Sequence, residues 1–339
     1  MQRLAKVTGW SLISFLLLIG TEDVWGQTDP RAKVLEAAKK EGRLIWYTSM
    51  AIDTSKPMLD AFLKEHPYIQ ANLVRLGAEQ MTNRILNETR AGNWLFDVVV
   101  LSEMEVLIER KLLSPYHSPE RKAYGKEFKD EHGFWTGVYN NNLVLSYNTN
   151  LVREKEAPKD YGDLLDPKWK GKILMDSTDY DWYGTLVNVW GHERAEDYMK
   201  QLARQSPIWR RGHGLIAQLL GAGEAPLGFA YNFRIERMKK DGAPVEWVDT
   251  FDPIMMTVTG IALSTRPNHP NAAKLFIDFV LSKKGQEMVR RMRRVPSRSD
   301  IEPLAPKMDQ SKLKLRRVPK DVYLNMEKYA REFRKIFGL

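Results

Sequence analysis

The sequence predicts an α/β protein of two lobes, each a mainly parallel sheet flanked by helices, with extended strands as the hinge. Three observations lead to this fold class. Short apolar runs alternate with helical patterns in two separate parts of the chain. Extended stretches near residues 138–147 and 248–263 lie between those parts. The length of 339 residues is sufficient for about two domains.

The first α/β unit contains three strands, each followed by a helix. The first helix has cap candidates at residues 53–55, an early Pro57, and ends at Pro67. The second helix ends near Gly92. The predicted strands are residues 44–47, 69–74 and 96–101, and the third helix spans 105–113. This order favours a parallel sheet with helices on its faces.

The second unit repeats this alternation, and two more helices follow it. Its predicted strands are residues 172–175, 207–210 and 227–230, and its helices lie at 184–190, 194–203, 215–220 and 231–240. A helix opens at Pro270, and a last helical pattern runs from Val322 to Phe333. The chain thus returns to the first lobe. We expect residues 27–140 and 255–339 to form the first lobe and residues 141–254 the second lobe.

The N-terminal segment has the three zones of a secretory signal peptide. Basic Arg3 and Lys6 precede an apolar run from Trp10 to Ile19, and small residues follow at Val24 and Gly26. The run is shorter than the roughly 20 residues that span a membrane. We expect residues 1–26 to be removed and the mature protein to be periplasmic, starting near Gln27. An uncleaved anchor or a buried helix is the alternative.

Composition excludes several classes of protein. The chain has no cysteine, which rules out disulfides, thiolate metal sites, a catalytic cysteine and a lipid-bearing cysteine. The formal charge is +9, and residues 290–320 alone contain eleven basic and three acidic residues. Because no aromatic residue interrupts that stretch, we interpret it as a solvated basic face and expect no nucleic-acid partner.

Candidate site residues come from the rule that ligands bind beyond the carboxyl ends of the strands in open α/β sheets. Polar residues follow the predicted strands in both units. The candidate ligand-binding residues are Thr48, Ser49, Glu103, Ser177, Thr178, Asp179, Tyr180, His213, Tyr231 and Arg234. Ordinary loop polarity and helix capping are the alternative for each residue. For His213, which lies between two glycines, a turn residue is as good an interpretation.

Motifs for catalysis and for metals are absent from the sequence. There is no nucleophile elbow, no zinc-protease motif and no phosphate loop. The segment 179–184 begins like a calcium loop but has Tyr183 where an oxygen ligand is required. No two of the six histidines have helical metal spacing. We therefore expect no catalytic residue, no metal ligand and no cofactor.

Several segments, taken in order, resemble a known family. They are Leu44–Ser49, Phe96–Val99 before Ser102-Glu103, Asp166–Ile173, Ala222–Glu224, His269–Phe279 and Ser282–Gln286. The chain from Gly42 to Ile301 resembles bacterial extracytoplasmic solute-binding proteins of ABC importers, in the branch with the ferric-ion-binding proteins. The resemblance implies a two-lobed type II periplasmic-binding clamp. It also implies delivery of a small molecule to an ABC permease in the inner membrane, and we expect a monomer.

In that branch, iron is held by a Tyr-Tyr pair, often with a histidine and a glutamate. Only the glutamate has a match, Glu103; the other positions fall near Ala51 and on Phe233-Arg234. Phenylalanine offers no ligand atom, and a guanidinium favours a carboxylate or phosphate. The sequence therefore favours an anionic or zwitterionic solute, such as an amino acid or aminophosphonate. A ferric-iron transporter, or an exported enzyme on the same fold, is the alternative function. A surface pair of Arg234 with Glu236 or Asp241 is the alternative for that arginine.

Overall fold

The structure is a computed structural model and describes residues 30–339. The predicted signal peptide and its cleavage point lie outside the described residues. Within residues 30–339, no helix combines the length and the apolar character that a membrane crossing requires.

The first part of the chain forms a parallel sheet in the order β2-β1-β3, covered by helices. Side chains alternate between its two faces: Trp46, Val98 and Val100 pack into one apolar cluster, and Tyr47 and Val99 into another. The strands are β1 (Arg43–Thr48), β2 (Gln70–Arg75), β3 (Val98–Leu101) and the short β4 (Leu113–Ser114). The helices are α1 (Pro30–Glu41), α2 (Ile52–Glu65), α3 (Ala78–Arg90) and α4 (Met104–Glu109).

Two long strands connect the lobes. They are β5 (Thr136–Asn148) and β10 (Ile254–Ser264), which pair antiparallel along their middle. At one end β10 pairs with β3, and at the other end β5 pairs with β8 (Leu227–Tyr231). One sheet therefore runs through the molecule in the order β2-β1-β3-β10-β5-β8-β6-β7. The predicted α/β class with extended hinge strands is confirmed.

The second lobe repeats the alternation of strands and helices. Strand β6 pairs in parallel with both β7 and β8, so the carboxyl ends of these strands lie at one edge. The strands besides β8 are β6 (Ile173–Asp176), β7 (Ile208–Arg210) and β9 (Val245–Trp247). The helices are α5 (Tyr180–Trp190), α6 (His192–Arg204), α7 (His213–Ala222) and α8 (Asn232–Lys240).

The C-terminal part crosses between the lobes. Helix α9 (Pro270–Leu281) packs on α1, and α10 (Lys283–Arg291) follows it. After β11 (Val295–Pro296), strand β12 (Leu315–Arg317) pairs with β10. Helix α11 (Lys320–Leu324) contacts both α4 and α5, and α12 (Met326–Phe337) packs on α5 and α6. The last helix therefore lies on the second lobe, whereas the sequence placed residues 255–339 with the first lobe; the other lobe boundaries stay a prediction.

Three further elements differ from the sequence-based expectation. Helices α1 and α10 were not predicted. Helix α4 ends at Glu109, shorter than the predicted 105–113, since Lys111 adopts a left-handed backbone with φ 56°.

Candidate functional site

The second-lobe end of the sheet is organised by Asp176, the last residue of β6. Its Oδ1 accepts hydrogen bonds from the backbone N–H (2.9 Å) and the hydroxyl (2.7 Å) of Thr178. Its Oδ2 accepts the N–H of Gly212 at 2.6 Å. Gly212 has φ 98°, which a side chain would disfavour. Asp176 thus holds the loop before α5 against the start of α7.

Asp179 and His213 form a buried pair beside Asp176. The Nε2 of His213 lies 3.0 Å from Oδ1 of Asp179, and Nδ1 lies 3.3 Å from the carbonyl oxygen of Phe229, to which it is placed to donate. Their side chains are 9% and 4% exposed. Burial disfavours the charged imidazole, but the carboxylate of Asp179 outweighs it and raises the pKa of His213 to about 9.

Two more titratable groups surround this pair. Burial, with a smaller contribution from Asp179, raises the pKa of Asp181 to about 7; its Oδ1 accepts the N–H of Trp182 at 2.9 Å. The ring of Tyr231 lies 4.4 Å from that of His213. Burial and the nearby aspartates raise the pKa of Tyr231 well above its usual value. The phenol therefore stays protonated at neutral pH.

Two arginines share the ring of Phe233. The guanidinium carbon of Arg234 lies 5.3 Å from the ring centre, and that of Arg294 lies 4.6 Å from it. Arg294 also covers Tyr139 of the hinge strand β5 and donates to Oδ1 of Asn141 at 3.3 Å. Burial and the positive charge of Arg294 lower the pKa of Arg234. Like charges this close favour a bound anion.

Neither arginine has a carboxylate partner. Across residues 30–339, no ion pair within 4.0 Å involves Arg234 or Arg294, and the buried Nε of Arg234 has no hydrogen-bond partner. The surface pairing considered for Arg234 is not formed, because Glu236 pairs with Lys239 and Asp241 with Arg293. The guanidinium groups remain available to a ligand.

The first-lobe candidates are already hydrogen-bonded. Thr48 is fully buried, and its hydroxyl accepts the N–H of Met50 at 3.0 Å. Ser49 donates its N–H to the carbonyl of Val100 at 2.8 Å. The Oε2 of Glu103 accepts the hydroxyl hydrogen of Thr82 at 3.0 Å, and burial raises the pKa of Glu103.

The structure brings some predicted residues together and separates others. Asp179, His213 and Tyr231 are neighbours, and Tyr231 is close enough to Arg234 to affect its pKa. Tyr180 instead packs on Phe333 of α12, with its hydroxyl 3.4 Å from Arg334. Thr178 is exposed and bonded to Asp176, and Ser177 donates its N–H to the carbonyl of Arg210 at 3.0 Å.

The sequence-based candidates do not include Asp176, Phe233, Asp181 or Arg294, and the last two show why. Asp181 lies in the first turn of α5, where an acidic residue is ordinary and gives no signal. Arg294 belongs to the stretch interpreted as a solvated basic face, yet it stacks on Phe233 and Tyr139. Its position depends on the fold of α10 and β11, which local patterns do not reveal.

Comparison with known proteins gives a consistent result. A profile of bacterial extracellular solute-binding proteins matches residues 97–323. The Fe(3+)-binding periplasmic protein of Serratia marcescens is 21% identical over 266 residues, which cover 75% of this chain and 78% of that protein.

Two solved structures have the same fold. Iron-bound HitA from Pseudomonas aeruginosa has a TM-score of 0.76 and 22% identity, over 88% of this chain and 99% of that one. The periplasmic binding protein AfuA from Actinobacillus pleuropneumoniae, with fructose-6-phosphate bound, has a TM-score of 0.73 and 25% identity over the same shares.

Proposed function

Since the chain belongs to the bacterial extracellular solute-binding protein family, we propose that it binds a small organic anion between its lobes and delivers it to an importer. The observation that carries the proposal is the arginine pair on Phe233, where two guanidinium groups have no carboxylate partner. A guanidinium binds a carboxylate or a phosphate through two parallel hydrogen bonds. The start of α8 lies next to Arg234 and also favours an anion.

The rest of the second-lobe site suits the neutral or cationic part of such a ligand. Asp179 and Asp181 can accept hydrogen bonds from hydroxyl or amino groups, and Tyr231 offers a flat apolar face. A ligand whose anionic group binds the arginines and whose hydroxyl groups face the aspartates would be a phosphorylated polyol. The likeness to AfuA, which was solved with fructose-6-phosphate, supports this choice over a free amino acid.

The direct test is calorimetry with a panel of sugar phosphates, phosphonates, amino acids and citrate. For the best ligand, Arg234→Ala and Arg294→Ala should each lower affinity by tens to thousands of fold, because a desolvated charge pair contributes about 2–5 kcal/mol. Arg237→Ala is the matched control: it removes an exposed positive charge from the same helix and should change affinity little. Unchanged affinity in folded Arg234 and Arg294 variants would refute the anion site.

Ferric iron is the second candidate, since relatives such as the Serratia protein are named as Fe(3+)-binding. In this chain Tyr231 stacks against Phe233. Because Phe233 stands where the resemblance places one tyrosine of the pair, the second phenol ligand is lacking there. Protein loaded with ferric citrate should therefore show no visible tyrosinate–iron band. A strong band that disappears in Tyr231→Phe would restore the iron function.

We also infer that the protein acts by binding alone, in the periplasm, with an ABC permease as partner. Its relatives are binding proteins, which supports a non-enzymatic role. N-terminal sequencing of the exported protein should begin near Gln27. Ligand recovered intact after long incubation would support binding without turnover, and release of a product would favour the enzyme alternative.

A further inference from the structure

We propose that Asp176, Asp179 and His213 form a binding site for a divalent transition-metal ion, a site that shares Asp179 with the proposed organic-anion site. The three residues come from three different segments: the end of β6, the loop before α5, and the first residue of α7. One ligand atom from each lies within 4.8 Å of the others. The sequence could not show this site, because the residues share no motif spacing.

One separation matches metal coordination directly. Ligand atoms bound at about 2.0–2.2 Å to one ion lie about 3 Å apart at a right angle and about 3.5 Å apart in a tetrahedral site. Nε2 of His213 and Oδ1 of Asp179 are 3.0 Å apart, and an oxygen of Asp176 lies within 4.8 Å of the ligand atoms of both residues. The oxygens of Asp176 accept three hydrogen bonds from Thr178 and Gly212, which fix the carboxylate and leave it a lone pair for a metal.

An unpartnered atom points to a missing ligand. Oδ2 of Asp179 is buried and has no hydrogen-bond partner within the described part of the chain. Asp179 occupies the N-cap position of α5, yet its side chain makes no capping bond there. A buried carboxylate oxygen without a partner is costly, and a cation would satisfy it.

The histidine is oriented as metal-binding histidines usually are. Its Nδ1 faces the carbonyl oxygen of Phe229, which leaves Nε2 directed at the carboxylates. A backbone carbonyl behind the imidazole fixes the tautomer and increases the basicity of the ligand nitrogen. Two carboxylates with one imidazole suit Mn²⁺, Fe²⁺, Co²⁺ or Zn²⁺.

Two other histidines of the chain serve as comparisons. His269 also pairs with a buried aspartate, Asp97, at 2.8 Å, but both oxygens of Asp97 accept backbone N–H groups. Within residues 30–339, no third metal-ligating side chain joins this pair in a cluster. His192 is exposed and lies near Glu196 and Glu332, at 3.9 and 3.1 Å. That surface cluster is where an adventitious ion would bind.

The test is metal titration of the full chain after treatment with a chelator, without any organic ligand. Zn²⁺ and Mn²⁺ should each bind at one site by calorimetry, and Co²⁺ should give the visible spectrum of an ion with a nitrogen ligand. His213→Gln and Asp179→Asn should each weaken binding about 100-fold or more, given that loss of an outer partner alone costs 10–100-fold. His192→Gln should retain it.

The Asp179→Asn variant protects the test from failure to fold, because asparagine keeps the size and shape of the aspartate side chain. Absence of saturable binding to the wild type would overturn the proposal. So would loss of binding in His192→Gln together with retention in the folded His213 and Asp179 variants. The metal titration is done without any organic ligand, whereas the anion site is tested with the Arg234 and Arg294 variants, so the two proposals can fail independently.

Discussion

The strand-end residues of the two lobes differ in how far their hydrogen bonds are satisfied. In the first lobe, Thr48 and Ser49 bond to the backbone, and Glu103 accepts from Thr82. In the second lobe, Oδ2 of Asp179, Nε of Arg234 and both side-chain polar atoms of Asn232 are buried without partners.

Because an unsatisfied buried polar group is costly, we interpret these three residues, which lie together at or after strand ends, as groups whose missing partners a ligand supplies. The difference between the lobes supports our proposal by favouring the second lobe as the main ligand-binding surface. On this proposal the first lobe acts mainly as a lid. Lids of this kind usually close on microsecond to millisecond timescales.

The largest expected effect is a loss of stability in variants of two matched aspartates, Asp97 and Asp176. Comparing the two variants separates an effect on stability from an effect on ligand binding. Asp97 accepts the N–H groups of Ile45 and His269, as Asp176 accepts those of Thr178 and Gly212. Replacing either by alanine removes the hydrogen bonds of a buried carboxylate, so the free energy of unfolding should fall by about 3 kcal/mol. Urea unfolding measures this.

The two variants should differ in ligand binding. Asp176→Ala also loosens the loop that carries Asp179, so ligand affinity should fall, whereas folded Asp97→Ala should bind normally. Asp60→Ala is a surface control, since its exposed carboxylate pairs only with Lys56 and should matter by less than about 0.5 kcal/mol. Equal loss of ligand affinity in the Asp97 and Asp176 variants would contradict the proposed difference between the two lobes in ligand binding.

The next prediction concerns Glu103, the acidic candidate of the first lobe. Its carboxylate is already hydrogen-bonded to Thr82, and burial raises its pKa, so a ligand gains little from its charge. Glu103→Gln should change ligand affinity less than about fivefold, which corresponds to roughly 1 kcal/mol. A fall comparable with that of Arg234→Ala would instead show that Glu103 holds a cationic group of the ligand.

The fold was largely predictable from local sequence patterns, and the site only in part. Apolar runs and helix punctuation located the strands and most helices, because periodicity and capping are local properties. The carboxyl-end rule selected Asp179, His213 and Tyr231, which the structure places together. The selection needed no motif, only the order of strands and helices.

The rest depends on contacts between distant parts of the chain. Tyr180 follows the same strand as Asp179 but faces α12, whose packing on α5 no local signal indicates. Arg294 reaches Phe233 through the tertiary fold around β11, and a run of basic residues alone suggests only a solvated surface. The pairing of β12 with β10 likewise joins residues about sixty positions apart.

A pH experiment tests whether Glu103 is a buried first-lobe residue whose hydrogen bond is already formed within the protein. Burial raises the folded-state pKa of Glu103 above its usual 4.5, so the folded protein binds its proton more tightly than the unfolded chain does. This group therefore adds stability at low pH and loses it as pH rises from about the unfolded value through the raised folded value. Glu79 and Tyr323 also face this group.

The measurement is the difference in unfolding free energy between wild type and Glu103→Gln across that pH range. The wild type should become less stable relative to the variant as pH rises, because glutamine keeps the shape without the charge. A parallel pH dependence in both proteins would mean that Glu103 is as solvated as in the unfolded chain.

The smallest effect is expected where the C-terminal segment connects the lobes. Helix α11 contacts α4 on one side and α5 on the other, and Lys320 pairs with Glu109 at 2.8 Å. Both side chains are about half exposed, so water and salt screen the pair. Lys320→Ala should leave the unfolding free energy almost unchanged and ligand affinity within roughly twofold, with any difference vanishing at high salt. The connection between the lobes then depends on the buried parts of the segment, such as the pairing of β12 with β10. A tenfold change in affinity in Lys320→Ala would show instead that this ion pair sets the balance between open and closed lobes, and that the lid is regulated from the C-terminus.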